Sequence, residues 1–168
     1  PYINDAVFFY DTLTRGKPCI FNKPRNHDSF AFVTNGTLGY EKDGIKAQIK
    51  TGQVAYIAKG SKDKSSAYAC DSVSYIAVNF NFDKNSYLQD IAFPFKTVCS
   101  GRNSYQYGKL FQKALDEYSL NLRGSKMICS GILCQIIGLL YNDFSFNNIN
   151  YKTAGKIESA LEYINKNY

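Results

Sequence analysis

One histidine, His27, sits in the polar run Lys23-Pro24-Arg25-Asn26-His27-Asp28, and its solitude limits the chemistry open to this chain. A metal site of several imidazoles is excluded, and any serine or cysteine nucleophile would depend on this one residue as its base. The five cysteines, Cys19, Cys70, Cys99, Cys129 and Cys134, form no C-x-x-C pair and lack the histidines that would complete a zinc site. Free, mostly buried thiols are expected. The neighbouring carboxylates Asp116-Glu117 and Glu158 with Glu162 fall on helix surfaces rather than across a cleft, so paired acid-base work is not indicated. Glycines 36, 39, 44, 52 and 60 separate strands and open no helix, so they make no phosphate cradle. What remains is a supply of rings, 14 Tyr and 12 Phe without Trp, suited to a β-rich core and to a ring-lined pocket. No catalytic residue, metal or cofactor is predicted.

Strands must position those rings. From Ser29 to Gly60, apolar residues alternate with small or polar ones: Phe30 and Phe32 fall on one face, Ala31 and Val33 on the other. Leu38 and Tyr40, then Ile45, Ala47 and Ile49, then Val54 and Tyr56 against Ala55 and Ile57 continue the period of two. Between Tyr40 and Ile45, Asp43-Gly44 predicts a two-residue hairpin turn. Residues 1–22 read as an arm and a first strand, and Val73 to Phe82 as a further long strand. Seven or eight short strands by residue 82 make a sandwich or small barrel.

The period changes after Phe95. Tyr107, Leu110, Phe111, Ala114, Leu115 and Tyr118 predict an amphipathic helix over 104–122, and Ile128, Ile132, Leu133, Ile136, Ile137, Leu140 and Tyr141 a second over 125–143. The second apolar face is broad enough to meet the first helix, the sheet and another subunit, which marks Leu110, Ala114, Ile128, Ile132, Ile136 and Leu140 as candidates for dimerisation; full burial of that face within the monomer is the alternative. An Asn-rich linker follows, and Thr153 opens a last helix with Ile157, Ala160, Leu161 and Ile164 on one stripe.

The net charge of +6, from 20 Lys and Arg against 14 Asp and Glu, is spread without a block. Its densest part, Lys42 to Lys64, lies along hairpins and reads as protection of a solvated strand edge. The longest apolar run, Ile132 to Tyr141, is interrupted by Gln135 and is too short to span a bilayer. A cytoplasmic protein without a membrane partner is expected.

Taken in order, a β-barrel half, a helix pair, a linker and the helix KIESALEYINKNY resemble the N-terminal part of an AraC-family transcriptional regulator over roughly residues 20–168. Within this, Gly52-Gln53-Val54-Ala55-Tyr56-Ile57-Ala58-Lys59-Gly60 resembles the second cupin motif, with Gly52 and Gly60 matching, Ala58 in place of Pro, and Asp63 where metal-binding cupins have a His. Arg25 to Asp28 followed by Phe30 to Gly36 resembles the family's first barrel hairpin. The resemblance implies a mainly β fold with C-terminal helices: a cupin-like jelly-roll barrel over 1–98 and a helical dimerisation hairpin over 99–145. Residues 146–168 would be a linker and the first helix of a helix-turn-helix domain, DNA being bound only through that further domain.

The resemblance also implies a homodimer and a small-molecule effector in the barrel. A metal cupin converges three His and an acid, which this chain cannot supply, so an organic ligand, sugar-like in the first instance, is expected. Its candidate contacts are Phe21, Arg25, His27, Tyr40, Tyr56, Tyr75 and Ala77. Two alternatives stand beside this reading: a cupin-like sugar-binding protein or non-metal isomerase with His27 or Tyr75 as acid or base, and a structural dimerisation module filled by its own rings.

Overall fold

The computed structural model describes residues 3–42, 44–82, 98–99 and 103–143. The alternating segments form β1 (Ile3–Thr14), β2 (Cys19–Phe21), β3 (Asp28–Asn35), β4 (Thr37–Lys42), β5 (Ile45–Lys50), β6 (Val54–Ile57), β7 (Asp63–Ala67), β8 (Ser72–Phe82) and β9 (Val98–Cys99). Two sheets result, ordered β1-β8-β3-β6-β9 and β2-β7-β4-β5. First strand against last long strand, second against seventh, with the third and fourth carried inside, is the winding of a jelly roll.

The expected barrel is open. Among the described residues no ladder joins the two sheets, which face each other as a sandwich. Sheets packed face to face stand about 10 Å apart, beyond hydrogen-bond reach, so side chains make the closure.

Lys42 pairs with Ile45 and Gly44 takes φ 77°, so β4 and β5 form the predicted hairpin, Asp43 lying outside the described residues. The segment read as an arm is instead a 12-residue strand, registered from Ile3↔Phe82 to Thr14↔Ser72 with one irregularity between Asn4 and Val7. It is a strand because both of its faces are used: Phe8 is buried toward one side and Leu13 toward the other.

Two helices follow, α1 (Ser104–Leu120) and α2 (Ser125–Asp143). Asn121 ends α1 in the left-handed conformation at φ 49°. Its role suits asparagine, which tolerates that region better than other non-glycine residues. Ser125 Oγ then donates to Glu117 Oε1 at 2.7 Å, while at the far end Tyr107 Oη donates to Asp143 Oδ2, so the helices run antiparallel.

The five-stranded sheet is buried on both faces. Phe30, Phe32, Ile76, Val78 and Phe80 point outward to meet Tyr107, Phe111 and Ala114 of α1 and Cys129, Ile132, Leu133, Ile136, Ile137 and Leu140 of α2. Ala31, Val33, Ala55, Ile57, Val73, Tyr75 and Ala77 point inward to meet Leu38, Tyr40 and Ile49 of the second sheet.

This packing corrects the expected dimerisation set. Ala114, Ile132, Ile136 and Leu140 are inside the chain's own core, and Leu110 packs against it; of the six only Ile128, 44% exposed, faces away. Their apolar surface is consumed by the sheet. By length and a mean hydropathy of 1.2 α2 would pass for a membrane span, but Ile132, Leu133, Ile136, Ile137 and Leu140 on one of its sides are in this core. The predicted linker and last helix, 146–168, lie outside the described residues.

Candidate functional site between the sheets

Register places the inward side chains in rows. Across the first sheet one row reads Phe9–Ala77–Ala31–Ala55, with three alanines side by side on β8, β3 and β6. Across the second sheet a row reads Ala47–Tyr40–Ser65–Cys19. Strand positions normally favour β-branched and aromatic residues, so three adjacent alanines put unusually small side chains side by side on this inner face.

Beside the alanine row the lining becomes polar. Ser29 Oγ donates to Asn79 Oδ1 at 2.6 Å, and Tyr75 Oη donates to Asp11 Oδ2 at 2.8 Å. Burial, followed by that hydrogen bond and the Asp11 charge, pushes the Tyr75 phenol well above its ordinary 10.0. It therefore stays a donor at neutral pH. Cys19 is also held protonated: burial raises its pKa above 9.0, Asp11 and Asp63 add to this, and the Arg25 charge opposes it.

Arg25 closes this end. Its Nε donates to Asp63 Oδ1 at 2.6 Å and its second nitrogen to Asp63 Oδ2 at 3.0 Å, with the two side chains 8% and 0% exposed. The Phe21 ring lies 3.6 Å from the guanidinium carbon. Backbone bonds from Arg25 N to Ser61 O and from Gly60 N to Arg25 O pin the loop to its neighbour. The guanidinium is thus already neutralised by Asp63.

His27 Nδ1 is 2.6 Å from Asn26 Oδ1, and its Nε2 is buried with no hydrogen-bond partner. With Nδ1–H donating to Asn26, Nε2 presents a lone pair to be met by a donor. Burial first and the Arg25 charge second lower the imidazole pKa below its ordinary 6.5. The proton titration of this single histidine by NMR is expected to have its midpoint below 6.5. Between that midpoint and 6.5 the unfolded chain binds more protons than the folded one. Stability is therefore full above 6.5 and falls as pH drops through the window. A midpoint at or above 6.5 would contradict this environment.

Of the expected contacts, Tyr40, Tyr75 and Ala77 line the space between the sheets, and Phe21, Arg25 and His27 stand at its polar end. Tyr56 does not. Its partner in register is Phe30, it packs toward the helices, and its hydroxyl donates to Asp28 Oδ1 at 2.8 Å. The inward residues of β6 are Ala55 and Ile57, one step out of phase with the expectation. Sequence reasoning did not pick out Asp11, Ser29, Ser65 or Asn79. The first of these was legible in the period of two through Phe9, Asp11 and Leu13.

No protein-family model and no curated protein matches this chain. Several solved structures resemble part of it. A cupin protein of Bacteroides fragilis matches at 18% identity and TM-score 0.41 over 48% of this chain and 68% of its own. An RmlC-like cupin with a double-stranded β-helix fold from Methanocaldococcus jannaschii matches at 17% and 0.40, over 44% and 68%. A protein described as an ethanolamine utilization protein, from Salmonella typhimurium, matches at 22% and 0.39; this chain covers 59% of its length and the match 46% of this chain.

The jelly-roll assignment rests on this chain's own strand order. Among the described residues no group of three His, Cys, Asp or Glu could hold a metal ion, so the donor set does not fit a metal-centred cupin site.

Proposed function

We propose that this chain is the ligand-sensing and dimerisation part of an AraC-type transcription regulator, binding a small, neutral, polyhydroxylated molecule between its sheets. The observation that carries the ligand reading is the row of three alanines, flanked by the Ser29–Asn79 and Asp11–Tyr75 pairs, with the side chain of Arg25 already paired to Asp63. Alanines give a ring room to lie. The hydroxyl and amide pairs give it partners, and the paired Arg25 offers no surplus charge to an anion. The regulator reading rests on the resemblance of the element order, with DNA recognition assigned to the segment beyond the jelly roll and helix pair.

Catalysis is not part of the proposal. The Tyr75 phenol, pushed well above its ordinary 10.0 by burial, is held as a hydrogen-bond donor rather than a base. The test is Ala31→Leu, which puts bulk into the middle of the row: binding of a polyol recognised by the native chain is expected to be lost while the fold persists. Unchanged binding would remove the site from between the sheets.

Dimerisation is assigned to the outward face of α2. Met127, Gly131, Cys134, Gly138 and Tyr141 alternate at steps of three and four on its exposed side, with Met127 82% and Tyr141 41% exposed. A Cβ at Gly131 or Gly138 would meet nothing within 4 Å, so nothing among the described residues requires glycine there, although glycine inside a helix costs about 1 kcal/mol against alanine. Replacing Gly131 and Gly138 together by Gln is expected to convert the dimer to a monomer in sedimentation without lowering the monomer's melting temperature. A dimer that survives the change, or a native chain that is monomeric, would contradict this assignment.

A further inference from the structure

The outward face of the second sheet holds a cavity of about 290 Å³ whose outward-pointing lining is Gly39, Glu41, Lys46, Gln48, Lys64, Ser66 and Tyr68, with Tyr40 and Ala47 of the same strands also at its wall. Register builds it from two rows, Lys46–Glu41–Lys64 and Gln48–Gly39–Ser66, with Tyr68 just beyond β7. Gly39 is its floor. That residue has an ordinary extended backbone, so no turn requires glycine; a Cβ there would stand 3.2 Å from both Ser66 Oγ and Tyr68 Cβ and would fill the floor. Glycine within a strand marks a place where something approaches the backbone closely.

The rim is uncommitted. Lys46 and Lys64 flank Glu41 in register, yet among the described residues neither forms an ion pair with it, and Gln48 and Ser66 make no side-chain hydrogen bond. Tyr68 is 48% exposed at the border. Two cations on opposite sides, a carboxylate and an amide between them, and a ring alongside match a single sugar ring carrying an acidic group. The ring face would meet Tyr68, the hydroxyls Glu41, Gln48 and Ser66, and the anion the two ammonium groups. The volume, at the small end of ligand pockets, admits one ring. The geometry points to a second, surface site for an acidic monosaccharide, a hexuronate or a hexose phosphate, independent of the site between the sheets.

The test is an NMR titration of the full chain at low salt with glucuronate, glucose 6-phosphate, glucose and inorganic phosphate. At least one acidic sugar is expected to shift the amides of Gly39, Gln48 and Ser66 and to bind at least tenfold tighter than glucose or phosphate; which one binds tells carboxylate from phosphate recognition. Lys46→Gln with Lys64→Gln is expected to remove that tenfold preference. Gly39→Ala and Tyr68→Ala are each expected to weaken binding, the second keeping the test valid if the first unfolds the sheet. Equal binding of glucose, equal binding of phosphate, or shifts confined to inward residues such as Ala31 and Ala77 would overturn the proposal.

Discussion

Replacing Arg25 by alanine is expected to cost the folded state about 3–5 kcal/mol, because it strands the Asp63 carboxylate in a place without solvent. Both oxygens of Asp63 accept from Arg25, and among the described residues the only other side-chain donor to them is Ser61 Oγ at 3.4 Å, too long to replace a charged partner. The loss of the cation over Phe21 adds to the effect. For a domain whose total stability is of order 5–15 kcal/mol, urea denaturation will register this as a large fall in midpoint. Removing both charges, as Arg25→Met with Asp63→Leu, is expected to recover most of the loss, since two charges taken out of water together are barely favourable. A cost below 1 kcal/mol for Arg25→Ala would mean that water reaches the pair.

Phe111→Ala is expected to cost about 3–5 kcal/mol as well, by a different route. Phe111 is fully buried, stacks on Phe32 of β3 with ring centres 5.6 Å apart at 20°, and shares a core with both helices and the outer face of the five-stranded sheet. The cavity left behind is walled by rings on one side and a helix on the other, neither of which can collapse freely. Because sheet and helices share that core, helical and β signals are expected to melt together at the lower temperature. Two separate transitions would show instead that the helix pair is an independent unit that merely rests on the jelly roll.

Local patterns were legible in the sequence, and pairings between distant segments were not. Both helices and the 43–44 hairpin are written in spacings of two to four residues, and they stand where those spacings put them. The face of β6 was not readable, because Val54, Ala55 and Ile57 are all buried and the alternation does not say which side is inside; Tyr56 went the wrong way for that reason. β1 looked like an arm because its company, β8, lies far along the chain, with Tyr75 reaching Asp11 across a separation of 64. Asp63 sits in a Ser-Lys run that reads as a polar turn, and its meaning came only from Arg25, 38 residues earlier. The apolar breadth of α2 was plain, but whether a sheet or a second subunit consumed it depended on where the sheet's outer face lay.

The most direct test of the account is thermal unfolding of the native chain against a panel of neutral sugars and polyols, repeated with Ala31→Leu. A ligand present at 100 times its Kd is expected to stabilise the native chain by about 2.7 kcal/mol and to leave the variant unmoved. A broad panel without effect on the native chain, or a shift that the variant retains in full, would contradict a ligand site between the sheets.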